Sequence, residues 1–401
     1  MSRVRTAIVI GGGIAGPVTA LALHRAGITA TVHEAHPSTT DGRGGTLALA
    51  PNGVAALRLV GADEAVTAIA TPIHTQVLAV GRKRIPLPGL AGLPPLRVVH
   101  RNELHRVLHD RAVAEGVTIA HGKRLVGVRE TADGVTATFA DGGTATADML
   151  IGADGVHSTV RTLIDPHAPG PRFTGVLGFE AVARHEVDSE TGTMNFAFGR
   201  GGYYLYWPEP GGGTRWGVNL PQERPMSLTE ARAVPAAEWL RILRDAYRDD
   251  DPGRNLMRTS SADELQVVGS MHIMPPVPHW HRGRMVLVGD AAHAPSNSSG
   301  QGASLSIESA VQLARCLRDL PDVPSAFGAY ERLRRERVEK VAARAARINH
   351  AKAPGPVARA IMPVLMPLFI KAAMNPEKTI GHEQRYVIDW EAPVTAGVPV
   401  G

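Results

Sequence analysis

Cysteine and aromatic residues are scarce in this sequence. The 401 residues include one cysteine, Cys316, and only 4% are Phe, Trp or Tyr. A single cysteine excludes an internal disulfide and favours a reducing compartment, so we expect a cytoplasmic protein. Cys316 lies in an apolar helical pattern, where we expect it to fill the core.

Long hydrophobic runs are also missing. The longest late apolar stretch, residues 360–370, is interrupted by two prolines and is too short to cross a bilayer core of about 30 Å. For the proline-interrupted apolar tail at residues 353–374 we expect a terminal helix packed on the body; a lid, a dimer contact and a membrane-touching patch are the alternatives. Residues 4–10 lead into a glycine-rich turn instead of a cleavage site, so we expect neither a secretory signal nor a transmembrane segment.

Several functional classes lack their signals. The formal charge of +5 has no aromatic-interleaved basic patch beside it, which argues against nucleic-acid binding. No Gly-x-Ser-x-Gly elbow is present, which removes one common hydrolase class. Four histidines late in the chain lack metal-ligand spacing: His272, His279, His281 and His293.

The N-terminus has the pattern of a βαβ unit. An apolar strand at residues 4–10 is followed by a turn, a helix at 17–26 and a strand at 29–34. The turn reads Gly11-Gly12-Gly13-Ile14-Ala15-Gly16. In such a turn the first glycine permits the tight bend, Gly13 lets the backbone approach a pyrophosphate, and Gly16 lets helix and strand pack closely. Glu34 is placed to bind ribose hydroxyls, which favours FAD or NAD.

A second strand, turn and helix pattern lies near residue 290. The run at 284–288 predicts a strand buried on both faces, and residues 303–320 predict a helix. Between them stand Gly289-Asp290-Ala291-Ala292-His293 and Gly300-Gln301-Gly302. Amides at a helix N-terminus favour an electron-rich group, and Asp290 can accept hydrogen bonds from hydroxyls. A reduced flavin with its ribityl chain has both features.

Other charged residues occupy positions of interest. Arg43 precedes two glycines in a loop, and Arg101 stands just ahead of a helix predicted over 102–115. One interpretation of each arginine is an ordinary surface cation. The alternative is a ligand contact, to something flat for Arg43 and to a pyrophosphate for Arg101. Asp154 follows a buried strand, and Ser158 begins the next helix.

Residues 172–274 change to an alternating strand pattern, with strands predicted at 178–184, 193–198, 203–207 and 215–220 and helical signal only at 228–231 and 235–247. The segment holds a large share of the chain's aromatic side chains, about half of which should line the interface with the other domain. The candidates for substrate contact are Arg200, Tyr204, Tyr206 and Trp216. Each aromatic one is individually more typical of core.

These patterns predict two interleaved domains and a tail. The nucleotide domain is discontinuous, over residues 1–72, 97–171 and 280–345. The sheet-rich domain takes 73–96 and 172–279, and 346–401 form a C-terminal helical segment.

The ordered motifs resemble those of the group A flavoprotein monooxygenases, the FAD-dependent aromatic hydroxylases of the para-hydroxybenzoate hydroxylase type. The resemblance covers residues 3–345 and depends on the order and spacing of the glycine fingerprint, Arg101-x-x-Leu104, Gly152-Ala153-Asp154-Gly155 and Gly289-Asp290. It implies an α/β fold, with a glutathione-reductase-like Rossmann FAD domain, an inserted mainly β substrate domain and C-terminal helices.

The resemblance also implies roles for individual residues. Glu34 would bind the adenosine ribose, Arg101 the pyrophosphate side and Asp290 the ribityl chain. The backbone of Gly300, Gly302 and Ala303 would face the flavin pyrimidine ring. Two weaker implications are Leu125, whose backbone would face adenine, and Asp154, which would contact FAD and the pyridine nucleotide.

The sequence departs from the family pattern at two positions. Many relatives carry proline at the position of Asn297 and an acidic residue at that of Ser309. The first change affects the loop beside the flavin.

The implied activity is hydroxylation of an aromatic, polyketide-like or other electron-rich small molecule by NAD(P)H and O2 through a flavin C4a-hydroperoxide, in a monomer or homodimer. NAD(P)H would dock transiently, since no second dinucleotide fingerprint is present. The alternatives are an FAD-dependent oxidase, epoxidase or reductase, a non-catalytic flavin-binding protein, and a plain NAD dehydrogenase.

Overall fold

The structure is a computed structural model that describes residues 4–38, 44–80, 83–199, 201–351 and 375–395. The strands in these residues are, in chain order, β1 (Thr6–Ile10), β2 (Thr29–His33), β3 (Thr46–Leu49), β4 (Thr71–Ile73), β5 (Thr75–Val80), β6 (Lys83–Pro86), β7 (Leu96–His100), β8 (Thr118–Ala120), β9 (Leu125–Glu130), β10 (Val135–Phe139), β11 (Thr144–Ala147), β12 (Met149–Gly152), β13 (Arg172–Ala183), β14 (Thr193–Phe198), β15 (Tyr203–Pro208), β16 (Thr214–Pro221), β17 (Gln266–Ile273), β18 (His281–Arg282) and β19 (Met285–Leu287).

The α-helices of the same residues are α1 (Ala15–Arg25), α2 (Pro51–Arg58), α3 (Asp63–Ile69), α4 (Arg101–Ala114), α5 (Thr159–Ile164), α6 (Leu228–Ala233), α7 (Ala236–Ala246), α8 (Gly253–Thr259), α9 (Gly302–Asp319), α10 (Val323–Ala351) and α11 (His382–Gln384). None of them, among the residues described, is long and apolar enough to cross a membrane.

The first sheet has six strands in the order β18-β19-β12-β1-β2-β8. All neighbours are parallel except β18 and β19. The central strands β1, β12 and β19 are continuous apolar runs because both faces of a parallel sheet are covered. The predicted βαβ unit and the later strand therefore belong to one sheet.

The second sheet has seven strands in the order β17-β13-β16-β15-β14-β5-β6. Strands β5 and β6 come from the first excursion of the chain and the other five from the second. Because both excursions contribute strands to this one sheet, we propose the domain division predicted from the sequence, in which residues 73–96 and 172–279 form the sheet domain. The meander β9-β10-β11 and the small sheet β3-β7-β4 lie outside both large sheets.

The sequence patterns missed two elements of the second sheet domain. Helix α8 was not predicted, because it is only seven residues long and begins with glycine after Pro252. Strand β17 was not predicted either, since Gly269 and two register shifts against β13 disturb its alternation. Strand β13 also begins earlier than its apolar pattern, which starts at residue 178.

The C-terminal segment is described in part. Helix α10 carries the predicted i,i+4 ion pairs Glu331–Arg335 and Glu336–Lys340, each 2.6 Å long. The apolar stretch predicted at 353–374 lies outside the described residues. Residues 375–395 return to the nucleotide domain, where Arg318 and Arg315 of α9 donate to the carbonyls of Trp390 and Ala392.

Candidate active site

The two glycine motifs meet at one edge of the six-stranded sheet, where the parallel strands end. The amide of Gly11 donates to the His33 carbonyl at 2.9 Å, and that of Ala153 donates to the Ile10 carbonyl at 2.8 Å. The amide of Val288 in turn donates to the Gly152 carbonyl at 2.9 Å. Carboxyl ends of parallel strands are the usual place for a ligand in such folds. Asp290 therefore lies on the same crevice as the first fingerprint.

Three fingerprint glycines are required for different reasons. Gly11 has φ +102°, and a Cβ there would lie 2.9 Å from the Asp154 Cα; one on Gly16 would collide with the Gly11 carbonyl. A Cβ on Gly13 would meet no protein atom within 4 Å. The fold explains Gly11 and Gly16, whereas Gly13 leaves open space over the turn, as close approach of a pyrophosphate requires.

Glu34 is held by the turn itself. One carboxylate oxygen accepts a hydrogen bond from the Gly12 amide at 2.6 Å, and the other accepts from the His36 amide at 2.8 Å. Each oxygen retains acceptor capacity for a ribose hydroxyl. The carboxylate is therefore oriented at the edge of the crevice before any ligand binds.

Asp290 and Arg101 come together across the crevice. Burial raises the pKa of Asp290, and the positive charge of Arg101 partly opposes that shift. Arg101 is the first residue of α4, not a residue ahead of the helix as the sequence predicted. Its side chain packs on Gly44, and its amide donates to the Gly45 carbonyl at 3.1 Å.

Asp154 caps helix α5. Its carboxylate accepts hydrogen bonds from the Ser158 hydroxyl at 2.5 Å and the Thr159 amide at 2.7 Å. Burial raises the pKa of Asp154, against the effect of these hydrogen bonds. Ser158 is the N-cap, as predicted, and accepts from the Arg161 amide at 2.9 Å. The buried Arg161 guanidinium donates to the Ala291 carbonyl at 3.0 Å, which fixes the turn after Asp290.

The N-terminus of α9 faces the crevice with free amides. The first hydrogen bond of this helix runs from the Leu305 amide to the Gln301 carbonyl at 2.8 Å, so the amides of 302–304 have no acceptor within the helix. Cβ atoms on Gly300 or Gly302 would meet nothing within 4 Å. Gly289, at φ +64°, packs against Ala15 of α1. These groups form an open, electropositive cradle.

A polar network under the cradle escaped the sequence analysis. The side-chain amide of Asn52 donates to the side-chain oxygen of Gln301 at 2.9 Å and to the Glu308 carboxylate at 2.6 Å. Glu308 is fully buried and pairs with Arg334 at 2.7 Å and Arg337 at 2.8 Å. Burial alone raises the pKa of Glu308, but the two arginine charges outweigh it and the pKa is lowered. No local sequence pattern reveals residues that meet across more than 200 positions.

Ser309 joins the same buried layer. Its hydroxyl lies 2.9 Å from His293 Nε2 and accepts from Arg334 Nε at 3.1 Å. Burial, and then the Arg334 charge, lower the pKa of His293 to about 3. The hydroxyl therefore bridges a neutral imidazole and a guanidinium.

Three of the four substrate candidates lie in the core. Tyr204, Tyr206 and Trp216 are buried on the side of the seven-stranded sheet that packs against α7 and α8. Trp216 donates to the Ser260 hydroxyl at 2.8 Å, and the Tyr204 hydroxyl accepts from the Gly253 amide at 3.3 Å. Side chains packed between the sheet and these helices are poorly placed to contact a substrate. The alternating sequence pattern predicted the strands, but it did not show which face of the sheet the helices cover.

The opposite face of that sheet approaches the nucleotide domain. Glu180 accepts from the Thr46 amide at 2.7 Å and pairs with Arg215 at 3.0 Å. The register places Glu180, Gly217, Leu205, Phe196 and Leu78 in one row across five strands. Beyond the end of β17, the Met274 amide donates to the Ala294 carbonyl at 2.9 Å, which joins the sheet domain to the Asp290 segment.

The remaining sequence predictions divide into two groups. Arg43 and Arg200 lie outside the described residues, although Gly44 beside Arg43 is packed as stated above. Leu125 is buried at the start of β9, and Ala303 lies in the first turn of α9. Their roles toward a ligand stay predictions.

Comparison with known proteins places the chain in a family. The sequence profile of the FAD binding domain matches residues 4–345. A 6-hydroxynicotinate 3-monooxygenase of Pseudomonas fluorescens is 30% identical over 80% of this chain and 84% of its own length. An aurachin C monooxygenase/isomerase of Stigmatella aurantiaca is 29% identical over 78% of this chain and 80% of its own length.

A solved structure supports the same assignment. HpxO of Klebsiella pneumoniae, complexed with FAD and uric acid, superposes with a TM-score of 0.79 and 25% identity, over 94% of this chain and 95% of that chain. The fold and the crevice define a flavoprotein oxidoreductase with an FAD-binding domain. The chain belongs to the FAD binding domain family and, within it, to the FAD-dependent aromatic hydroxylases.

Proposed function

We propose that the protein is an NAD(P)H-dependent FAD monooxygenase that hydroxylates a neutral, electron-rich aromatic or polyketide-like molecule. One observation carries the proposal most directly. The Asp290 turn and the α9 N-terminus share a crevice with the Gly11 turn, and the second sheet is joined to the segments beside it by the Thr46–Glu180 and Met274–Ala294 hydrogen bonds.

FAD fits the residues of the crevice along its whole length. The space over Gly13 and the amides of the turn would take the pyrophosphate, and Glu34 would accept from the adenosine ribose. Asp290 would accept from ribityl hydroxyls. The amides of 302–304 would hold the electron-rich edge of the flavin ring, where negative charge collects on reduction. When bound, FAD takes electrons from NAD(P)H and activates O2; the protein supplies binding, orientation and electrostatics.

The row across the sheet supports a neutral substrate. Leu205 and Phe196 present apolar side chains, and Gly217 between Leu205 and Glu180 presents none. Arg215, which pairs with Glu180 of this row, is neutralised by Glu180 and by Glu209 at 2.5 Å. A carboxylate substrate would need an uncommitted cation, so the lining favours an uncharged ring. An apolar lining also excludes water from the reacting centre.

Rapid mixing of the reduced protein with O2 tests the activity. The purified protein should be yellow, NAD(P)H should bleach it, and O2 with a neutral phenol or indole should give one oxygenated product for each NAD(P)H consumed. The same assay with hydroxybenzoates tests the preference for neutral rings. Release of hydrogen peroxide without oxygenated product would favour the oxidase alternative, and a yellow protein without turnover would favour a flavin-binding protein. Fractionation of the producing cells tests the cytoplasmic location that we propose.

A further inference from the structure

The C-terminal segment reaches the loop that precedes α9. Glu383 is fully buried, and its carboxylate forms a bidentate ion pair with Arg344 of α10 at 2.5 and 2.7 Å. The Arg344 guanidinium also donates to the Ser299 carbonyl at 3.2 Å. The buried charge of Glu383 is thereby connected to the backbone just before Gly300.

A second connection runs from the same residues to the other end of that loop. Arg337 donates to the Glu383 carbonyl at 2.7 Å and to Glu308 at 2.8 Å. The Glu308 carboxylate accepts a hydrogen bond from the side-chain amide of Asn52, which also donates to the side chain of Gln301. Ser299 and Gln301 are therefore both fixed by contacts that lead back to residue 383.

The loop between these two anchors is short and tightly folded. Asn297–Ser299 form a 3-10 turn, and Gly300 has φ +62°. The Gln301 amide donates to the Ser299 hydroxyl at 3.0 Å. The orientation of the free amides of 302–304 follows from this turn, because the turn sets where α9 begins.

We propose that Glu383 is a positioning residue for the flavin site, acting through Arg344 on the 299–301 loop. The inference rests on the proposed function, in which the amides of 302–304 hold the flavin ring. A buried carboxylate with a bidentate partner fixes one geometry of the arginine, and the arginine in turn fixes the Ser299 carbonyl. Removal of the carboxylate charge leaves Arg344 without its counter-ion and free to turn away from Ser299.

The test compares Glu383→Gln with Glu377→Gln. The control removes an ion pair of the same type from the same segment, since Glu377 pairs with Arg385 at 2.5 Å but is exposed and, among the residues that the structure describes, makes no polar contact with the 299–301 loop. Three quantities are measured: the dissociation constant of FAD, the midpoint potential of the bound flavin, and hydrogen exchange of residues 297–303 in the FAD-free protein.

We expect Glu383→Gln to weaken FAD binding about tenfold. We also expect a more negative flavin potential, since misplaced amides stabilise the reduced ring less, and faster exchange in the 297–303 peptide. Glu377→Gln should match wild type in all three. If Glu383→Gln does not fold, Arg344→Lys should show the same changes, because an ammonium cannot bond both Glu383 oxygens and Ser299 in the fixed geometry of a guanidinium.

The outcomes separate the two proposals. A wild-type protein that does not bind FAD overturns the proposed function and the positioning role with it. Wild-type FAD binding combined with equal potential and exchange in the Glu383 and Glu377 variants overturns the positioning role alone.

Discussion

Each glycine of the first fingerprint has its own reason to be glycine, and the reasons predict different mutant behaviour. Gly11→Ala places a methyl group against the Asp154 backbone at a positive φ, so it should lower the apo-protein's stability by a few kcal/mol. Gly13→Ala meets no protein atom and should leave the thermal midpoint unchanged. It should nevertheless weaken FAD binding about tenfold or more, since the methyl group occupies the space of the pyrophosphate.

Thermal unfolding of the apo-proteins and FAD titration by flavin fluorescence separate the two effects. Full FAD affinity in folded Gly13→Ala would show that the space over this turn is not used by the cofactor.

His293 makes the stability of the protein depend on pH. In the unfolded chain its imidazole binds a proton near pH 6.5, whereas in the folded protein its pKa is about 3. Between these values the unfolded state holds more protons, so stability falls as the pH decreases from about 6.5 toward 3, by about 1.4 kcal/mol per pH unit. His293→Gln removes this contribution.

Unfolding of wild type and His293→Gln, followed from pH 7 to pH 4.5, checks the sign. The variant should lose less stability than wild type on acidification. Parallel curves would contradict the burial of a neutral imidazole between Ser309 and Arg334.

At the residue scale the sequence predicted what local chemistry determines. Gly11, Glu34, Asp290 and the helix start at Ser158 stand where their local patterns indicated. The sequence analysis did not identify Asn52 and Glu308, because they form their hydrogen bond with each other across a large separation in the sequence. Ser309 was visible as a departure, yet only the fold shows that it bridges His293 and Arg334.

At the scale of elements, one strand carries two kinds of side chain. In β15, Tyr206 packs on the side of the helices, whereas Leu205 lies on the opposite face and packs with Ile73 and Val98. Leu205→Ala enlarges the apolar lining, so it should raise the substrate KM by about tenfold. It should also raise, by about the same factor, the fraction of NADPH or NADH oxidation that ends in hydrogen peroxide instead of product. Tyr206→Phe should cost about 1 kcal/mol of stability and change neither quantity, since it removes one polar contact from the core.

Steady-state kinetics with peroxide detection, paired with thermal unfolding, distinguish the neighbours. An effect of Tyr206→Phe on KM with none from Leu205→Ala would reverse the assignment of the two faces.

Many elements were predictable from hydrophobic period and turn residues, including β14 to the residue. The elements missed include β3, β7, α8 and β17. In α8 and β17, a short polar helix and a bulged strand weaken both periods. Which face of the second sheet the helices cover is a tertiary property that alternation alone does not contain.

At the scale of the whole molecule, one dinucleotide should bind two distant segments at once. FAD should therefore raise the thermal midpoint of the protein more than FMN or ADP does at the same concentration. Its two halves are covalently joined, so once one half is bound the other half binds in an intramolecular step. At a hundredfold excess over its dissociation constant, FAD should stabilise the fold by about 2.7 kcal/mol. FMN and ADP added together should still fall short of FAD.

Differential scanning fluorimetry of the apo-protein with each ligand provides the measurement. If ADP alone stabilised the protein as much as FAD, only the N-terminal half of the crevice would be in use, as in a plain NAD dehydrogenase.

The order of strands in the six-stranded sheet also constrains how the protein is made. Strand β1 leaves the ribosome first and its neighbour β2 soon after, but the other neighbour, β12, ends at residue 152, and β19 follows only after most of the chain has been translated. The crevice beside the glycine turn is therefore incomplete until Asp290 and the start of α9 emerge. Cofactor loading belongs to the last stage of biosynthesis, and a chain truncated before residue 303 is expected to be colourless.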